Sequence, residues 1–467
     1  MPAREFCGVV GVSLAGRGAA PTLYTGLRAL QHRGQESAGI ATASHGVLHH
    51  RKGMGLVHEV FTQDILEALR GPIGIGHVRY STTGASELEN AQPLVVKLRE
   101  EDAALAHNGD IVNFERIRRR LQAQGVEFLG SADSETIGQM IAAEYVRTRD
   151  LEGAIRRACT ELIGGFAVVM VTSNRLMAFR DPLGIRPLVL GSLDGGYAVA
   201  SESVAIELMG GKLLRDVLPG EVIVIERNKL RTSRAAVPKE TAHCMFEFVY
   251  FSRPDSVAQG KSIYEARQKV GERLARESPV EADLVVPVPD SSRPQALGFS
   301  QVSGIPYAEA LIKNRFVERT FILPDQRRRE AEVRVKLHPV PELLRGKRVV
   351  LLDDSIVRGT TLREIVRMVR DAGAVSVDVR IGCPPIIAPC YFGVDMKDRR
   401  QLVAAGRTEA EIAEMIGAQS VHYLSEPGLV ESIGIPADGL CMGCLTGRYP
   451  VDVPQERRRF QKVLEEY

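Results

Sequence analysis

Between Arg348 and Thr361 an apolar run, Val349 to Leu352, breaks into two adjacent carboxylates, Asp353 and Asp354, and then Ser355, Ile356, Val357, Arg358, Gly359, Thr360 and Thr361. Leu362, Ile365, Val366 and Val369 follow at helical spacing, so the stretch predicts a buried strand, a loop and a helix. Such a junction makes an anion site. The unpaired N–H groups of the helix start carry the positive end of its dipole, Gly359 lets backbone approach a ligand closely, and Thr360 and Thr361 add hydroxyl donors. The acidic pair can accept hydrogen bonds from sugar hydroxyls, or hold Mg²⁺ through water, while the loop takes a phosphate. No lysine follows the glycine as in a P-loop, and no GxGxxG is present. A strand-to-helix turn with a plain Asp cap has the same spacing.

Cysteine is the second chemical signal. Seven stand at positions 7, 159, 244, 383, 390, 441 and 444, an odd number in a long chain, which argues against a secreted disulfide framework. Cys441 and Cys444 form a CxxC, with Cys244 and Cys390 far away in sequence. Spacing alone permits Zn²⁺, an iron–sulfur cluster, a redox pair or buried thiols.

The elements that must position these groups follow from pattern. At 467 residues the chain exceeds one core, and about 150 residues per domain predicts two or three domains. Sixty Lys and Arg against 58 Asp and Glu leave a charge of +2, so nothing favours nucleic acid as a partner. There is no apolar run of about 18 residues and no signal-peptide pattern, so no membrane partner and a cytoplasmic protein are expected. Cys7 to Gly11 reads as a strand, Leu23, Leu27 and Leu30 as a helical stripe, and Gln31 to Gln35 as a polar turn. Strands are predicted at Ile73–Gly76, at Ala103–Ala106 ending in His107-Asn108-Gly109-Asp110, at Phe166–Val171 and at Val222–Ile225. An Asn-Gly at a strand end ordinarily marks a turn. Helices are predicted through Phe114, Ile117 and Leu121, and through Ile137, Ile141 and Tyr145. The polar stretch Arg231 to Glu240 reads as a link. Beyond it come a helix through Ile263, Ala266, Val270 and Leu274, a strand Ala282 to Val288 ending in Pro289-Asp290-Ser291-Ser292-Arg293, and an Arg-rich segment from Arg315 to Lys336. A run of charge is ordinarily a solvated face.

Taken together these stretches carry a resemblance. CGVVGV, LQHRGQESAGI, GIGHVRYSTTG, LAHNGDIVN and ADSE, in this order, resemble the glutaminase domain of N-terminal-nucleophile amidotransferases, and VVLLDDSIVRGTT resembles the phosphoribosylpyrophosphate (PRPP) loop of type I phosphoribosyltransferases. With the segment Cys244 to Ser256, the basic segment and the CxxC, almost the whole chain resembles the amidophosphoribosyltransferase family.

The resemblance implies a four-layer αββα sandwich followed by a type I phosphoribosyltransferase α/β domain. The implied division is a leader over residues 1–6, a glutaminase domain over 7–240, a phosphoribosyltransferase domain over 241–450 and a helical tail over 451–467. It further implies conversion of glutamine, PRPP and water to 5-phosphoribosylamine, glutamate and pyrophosphate, the first committed step of purine synthesis. Cys7 would be the nucleophile, freed as the chain terminus, because an α-amino group with a pKa of about 7.7 to 8 is a base of suitable strength beside a thiol. Asn108 and Gly109 would donate to the oxyanion, donors typically worth about 2.7 to 4 kcal/mol. Arg79 would meet the glutamine carboxylate and Asp133 its ammonium. Asp353, Asp354, Ser355, Arg358, Gly359, Thr360 and Thr361 would bind PRPP, with Ser291, Asp353 and Asp354 on Mg²⁺. The basic segment, with Lys313, Asn314, Arg315, Arg319, Gln326, Arg327, Arg328, Arg329, Arg334 and Lys336, would close over PRPP. By the same resemblance Cys244, Cys390, Cys441 and Cys444 would hold a [4Fe-4S] cluster, Cys159 and Cys383 being core thiols, and the protein would be a homotetramer inhibited by purine nucleotides. Other glutaminase-coupled synthases lack the acidic pair with Arg-Gly-Thr-Thr, and a PRPP-sensing DNA-binding regulator would need a basic face.

Overall fold

The structure, a computed structural model, describes residues 7–80, 87–237, 240–314 and 336–453. The leader Met1–Phe6, Ser81 and Thr82, the body of the Arg-rich segment over 315–335 and the tail beyond Val453 lie outside the described residues.

Two antiparallel sheets stack face to face in the first half. The first runs, in spatial order, Lys212–Asp216, Val189–Leu193, Gly196–Ala200, Gly8–Leu14, Ile73–Arg79, Ser37–Ser44 and Val47–Met54. The second runs Lys229–Arg234, Glu221–Glu226, Arg175–Arg180, Gly164–Val171, Asp102–Ile111 and Leu94–Lys97. Inward residues, among them Val9, Ile75, Ala104, Ala106, Val169 and Ile223, interdigitate between the sheets. Helix Ala20–Ala29 covers the outer face of the first sheet through Leu23 and Leu27. Helices Phe114–Ala123, Asp133–Thr148 and Leu151–Glu161 cover that of the second. This is the expected four-layer αββα sandwich, in which each sheet is apolar on both faces because each has a layer on both sides.

Two expectations are corrected. His107-Asn108-Gly109-Asp110 is no turn: the strand runs unbroken from Asp102 to Ile111, pairing Asn108 with Ala167 and Gly109 with Phe166. Gly109 has φ +144°, and a Cβ there would lie 1.9 Å from the Gly165 carbonyl oxygen, so the glycine serves a close approach of strands. Nor is Arg231–Arg234 a link. It belongs to the edge strand Lys229–Arg234, polar because much of it faces water.

In the second half, strands Leu284–Pro287, Arg348–Asp353, Ser376–Ile381 and Ser420–Tyr423 form a parallel sheet in that order. Val349 to Leu352 are fully buried, as the unbroken apolar run requires. Helix Thr360–Asp371 buries Leu362, Ile365, Val366 and Val369. Helices Ile263–Glu277 and Arg293–Ser303 also pack around this core. The two halves share it: Ile185, from the first, is buried in the cluster with Phe246, Cys390 and Phe392 of the second.

Candidate functional site

Cys7 precedes the central strand Gly8–Leu14, whose register sets Gly8 against Val78 and so puts the thiol beside the end of the strand Ile73–Arg79. Its Sγ donates to the Tyr80 carbonyl at 3.5 Å. Loss of water pushes the thiol up to about 11, with Arg79 opposing and Asp133 and Glu36 reinforcing the shift. The fold thus gathers Cys7, Arg79 and Asp133 into one electrostatic neighbourhood. Arg79 is buried, and its guanidinium meets Glu36. Asp133 opens its helix, accepts from the Ile111 N–H at 3.0 Å, and is raised by burial. Asn108, wholly buried, donates through Nδ2 to Ser201 Oγ at 3.5 Å, and Ser201 Oγ accepts from the Val9 N–H at 2.9 Å. Ser201 therefore ties the strand Gly8–Leu14 to Asn108, the predicted oxyanion donor. His77 donates to the His107 carbonyl at 3.1 Å, and burial pushes both imidazoles down to about 3, so both are neutral near pH 7.

At the second site Asp353 ends its strand and Asp354 follows. Ser291 and Ser355 donate to opposite oxygens of Asp354, Ser355 at 2.6 Å. Asp353 Oδ1 accepts from the Asp354 N–H at 2.9 Å and from Ser292 Oγ at 3.4 Å. Burial, reinforced by the Asp354 charge, holds Asp353 well above the usual carboxylate range. Gly359, at φ +75°, immediately precedes helix Thr360–Asp371, so the loop runs into the positive end of that helix's dipole. Two carboxylates and a hydroxyl are a hard oxygen set of the kind Mg²⁺ takes. So the structure brings Ser291, Asp353, Asp354 and Ser355 together at the start of a helix dipole.

Four of the cysteines lie around one cavity. Strand His243–Cys244 pairs in parallel with Leu440–Cys441, opposing Cys244 to Cys441, while Ile387 and Ala388 donate to the Cys444 carbonyl at 3.0 Å. Cys244, Cys390, Cys441 and Cys444 line one cavity with Ile185, Arg186 and Phe392. Among the described residues no three His, Cys, Asp or Glu side chains converge closely enough to hold a single metal ion. Cys159 and Cys383 are fully buried, as expected of core thiols.

A buried ion cluster joins the first half to the second, and its members carry no signal of this in the sequence. Arg33 is buried to 1% exposure, where Glu202 and Glu247 both meet its guanidinium and Ser252 Oγ lies 3.3 Å away. Glu202 also accepts from His32 at 2.7 Å, from the Arg253 N–H at 2.9 Å and from Ser256 Oγ at 2.7 Å. Arg267 donates to the carbonyls of Phe248 and Ser252 at 2.8 and 2.7 Å, and Asp354 supports its charge. Arg33 is legible only as part of a motif, since nothing in its spacing predicts that its partners lie in the other half.

A thiol at a strand end in an αββα sandwich, joined to an acidic strand end and a glycine-bearing loop on a parallel sheet, is the architecture of a glutamine amidotransferase fused to a phosphoribosyltransferase. Residues 77–207 match the family model of the glutamine amidotransferase domain. The chain is 49% identical over 454 residues to an amidophosphoribosyltransferase of Archaeoglobus fulgidus, covering 97% of this chain and 99% of that one. It is 47% identical to that of Methanothermobacter thermautotrophicus, covering 98% of each. It superposes on glutamine PRPP amidotransferase from B. subtilis complexed with ADP and GMP with a TM-score of 0.90 at 42% identity, covering 96% of this chain and 98% of that one. The chain belongs to the amidophosphoribosyltransferase family, and makes 5-phosphoribosylamine, glutamate and pyrophosphate from glutamine, PRPP and water, the first committed step of purine biosynthesis.

Proposed function

We propose that this reaction is divided between the two sites and that each residue acts as follows. Residues 7–240 form the glutaminase and 241–450 the phosphoribosyltransferase. After cleavage behind Phe6, the free amine of Cys7 takes the proton of its own thiol, and the thiolate attacks the glutamine amide carbon. Asn108 Nδ2 and the Gly109 N–H hold the oxyanion, Arg79 the carboxylate and Asp133 the ammonium. Ammonia leaves as the intermediate collapses, and water then releases glutamate from Cys7. In the second site Asp353 and Asp354 hold the ribose. Ser355, Arg358, Gly359, Thr360 and Thr361 hold the 5′-phosphate, and Ser291, Asp353 and Asp354 reach Mg²⁺. Bound there, Mg²⁺ would neutralise charge on the departing pyrophosphate. The single observation that carries this division is that Arg79 and Asp133 act on the Cys7 thiol at a strand end of one sheet, while Asp353 ends a strand of another and Asp354 follows it.

A [4Fe-4S] cluster on Cys244, Cys390, Cys441 and Cys444 is part of the same reading. What supports it is that the four thiols line one cavity, the thiolate set that a cubane takes. Its function would be structural, joining the C-terminal segment to the domain's start. Colourless, anaerobically purified protein that holds zinc without iron and keeps full activity would overturn this. A cytoplasmic homotetramer inhibited by purine nucleotides completes the proposal, supported by the ADP and GMP in the B. subtilis complex. Sedimentation and nucleotide titration test it. Among the described residues no helix is long and apolar enough to cross a membrane.

A further inference from the structure

Resting on the glutaminase reading of Cys7 and Gly109, we propose that the segment Phe392–Lys397 of the second half clamps the oxyanion strand of the first, with Gly393 and Lys397 as positioning residues for glutamine hydrolysis. Three contacts converge on the strand pair there. Lys397 Nζ lies 2.7 Å from the Asp110 carboxylate, one residue past Gly109. Phe392 packs so closely on Gly165, the register partner of Asp110, that a Cβ at Gly165 would lie 3.2 Å from Phe392 Cβ. Gly393, at φ +115°, comes so near that its own Cβ would lie 3.2 to 3.3 Å from the carbonyl carbon and Cα of Gly109. A side chain at Gly393 would therefore press on Gly109 from its carbonyl side and shift the residue whose N–H is to donate to the oxyanion.

The pairing of Asp102–Ile111 with Gly164–Val171 fixes that strand within the sheet plane as far as Ile111, and the Phe392–Lys397 segment adds a hold from outside the sheet. Lys397 supplies this hold through charge and Gly393 through shape. An oxyanion donor acts only if it points at the position the oxygen takes in the transition state, so small displacements of Gly109 cost rate rather than fold. The contact also makes the second half part of the first half's catalytic geometry. Ammonia supplied from solution bypasses it.

The test compares glutamine-dependent with ammonia-dependent phosphoribosylamine synthesis in the full-length enzyme carrying Lys397→Ala, Lys397→Arg or Gly393→Ala. Lys397→Ala and Gly393→Ala should lower the glutamine-dependent kcat about tenfold or more while the ammonia-dependent kcat stays within about twofold. Lys397→Arg should recover most of the loss. Equal decline of both activities, no decline in either, or failure of Arg to rescue would overturn the proposal. Cys7→Ala, assayed in parallel, separates the two levels of the argument. If it retains glutamine-dependent synthesis the glutaminase reading itself is wrong, whereas its silence beside an unchanged Lys397→Ala refutes the clamp alone.

Discussion

Loss of water around the Cys7 thiol, which pushes it up to about 11, leaves it with little thiolate near neutral pH. Alkylation of the uncut protein at Cys7 should rise about tenfold per pH unit between pH 7 and 9, because the thiolate fraction does so below the pKa. Intact mass resolves cut from uncut chains, and active enzyme with its first six residues attached would refute leader removal. Cys7→Ala should abolish glutamine-dependent synthesis and leave ammonia-dependent synthesis near its original rate, since the acceptor site keeps all its groups. With His77 and His107 both neutral down to about pH 3, the rate profile for glutamine should carry no imidazole inflection between pH 5 and 8.

Among elements, the strand Asp102–Ile111 and the loop after Arg348–Asp353 have opposite tolerances. Gly109→Ala would set a Cβ 1.9 Å from the Gly165 carbonyl oxygen, so the strand must shift and the oxyanion donor with it. Glutamine-dependent kcat should fall about a hundredfold, the scale of one lost donor, with ammonia-dependent kcat unchanged. Asp353→Asn with Asp354→Asn acts the other way. Both sit where Ser291, Ser292 and Ser355 converge, and their loss removes the proposed ribose and Mg²⁺ contacts, so neither nitrogen source should yield phosphoribosylamine. Synthesis from ammonia in that double variant would refute the assignment.

For the molecule as a whole the buried ion cluster of Arg33, Glu202 and Glu247 is the seam between the halves. Burial raises the Glu202 carboxyl, but Arg33, His32 and the Arg253 N–H together outweigh it and hold the group well below the usual carboxylate range. A depressed carboxyl contributes stability that is present above its unfolded pKa, about 4.3, and is lost as pH falls toward the folded value. Stability should therefore drop below about pH 4 more steeply in the parent than in Glu202→Gln, as followed by thermal unfolding against pH. Removing one member without the others strands a buried charge, so Arg33→Met should cost about 3 to 5 kcal/mol. An unchanged melting temperature in Arg33→Met would place the seam elsewhere.

What the chain determines by itself is local. The apolar run before Asp353-Asp354, the helical stripe after Thr361 and the glycine between them are adjacent in sequence, so strand, loop and helix could be read as one unit, and the structure has all three. Cys7, Arg79, Asn108 and Asp133 were legible as motif positions. The continuity of the strand through Asn108-Gly109 was not, because it depends on Gly165 approaching from a strand more than fifty residues away. Lys229–Arg234 was hidden for a related reason: an edge strand facing water lacks the alternation that marks a half-buried one. Ser201, Glu202, Arg267 and Lys397 carry no periodic or spacing signal, since each acts on a partner from another segment. Tertiary structure alone decided that Glu247 meets Arg33, that Cys244 opposes Cys441 and that Gly393 rests on Gly109. Pairing across long loops is set by burial and charge summed over the whole chain, which no single stretch encodes.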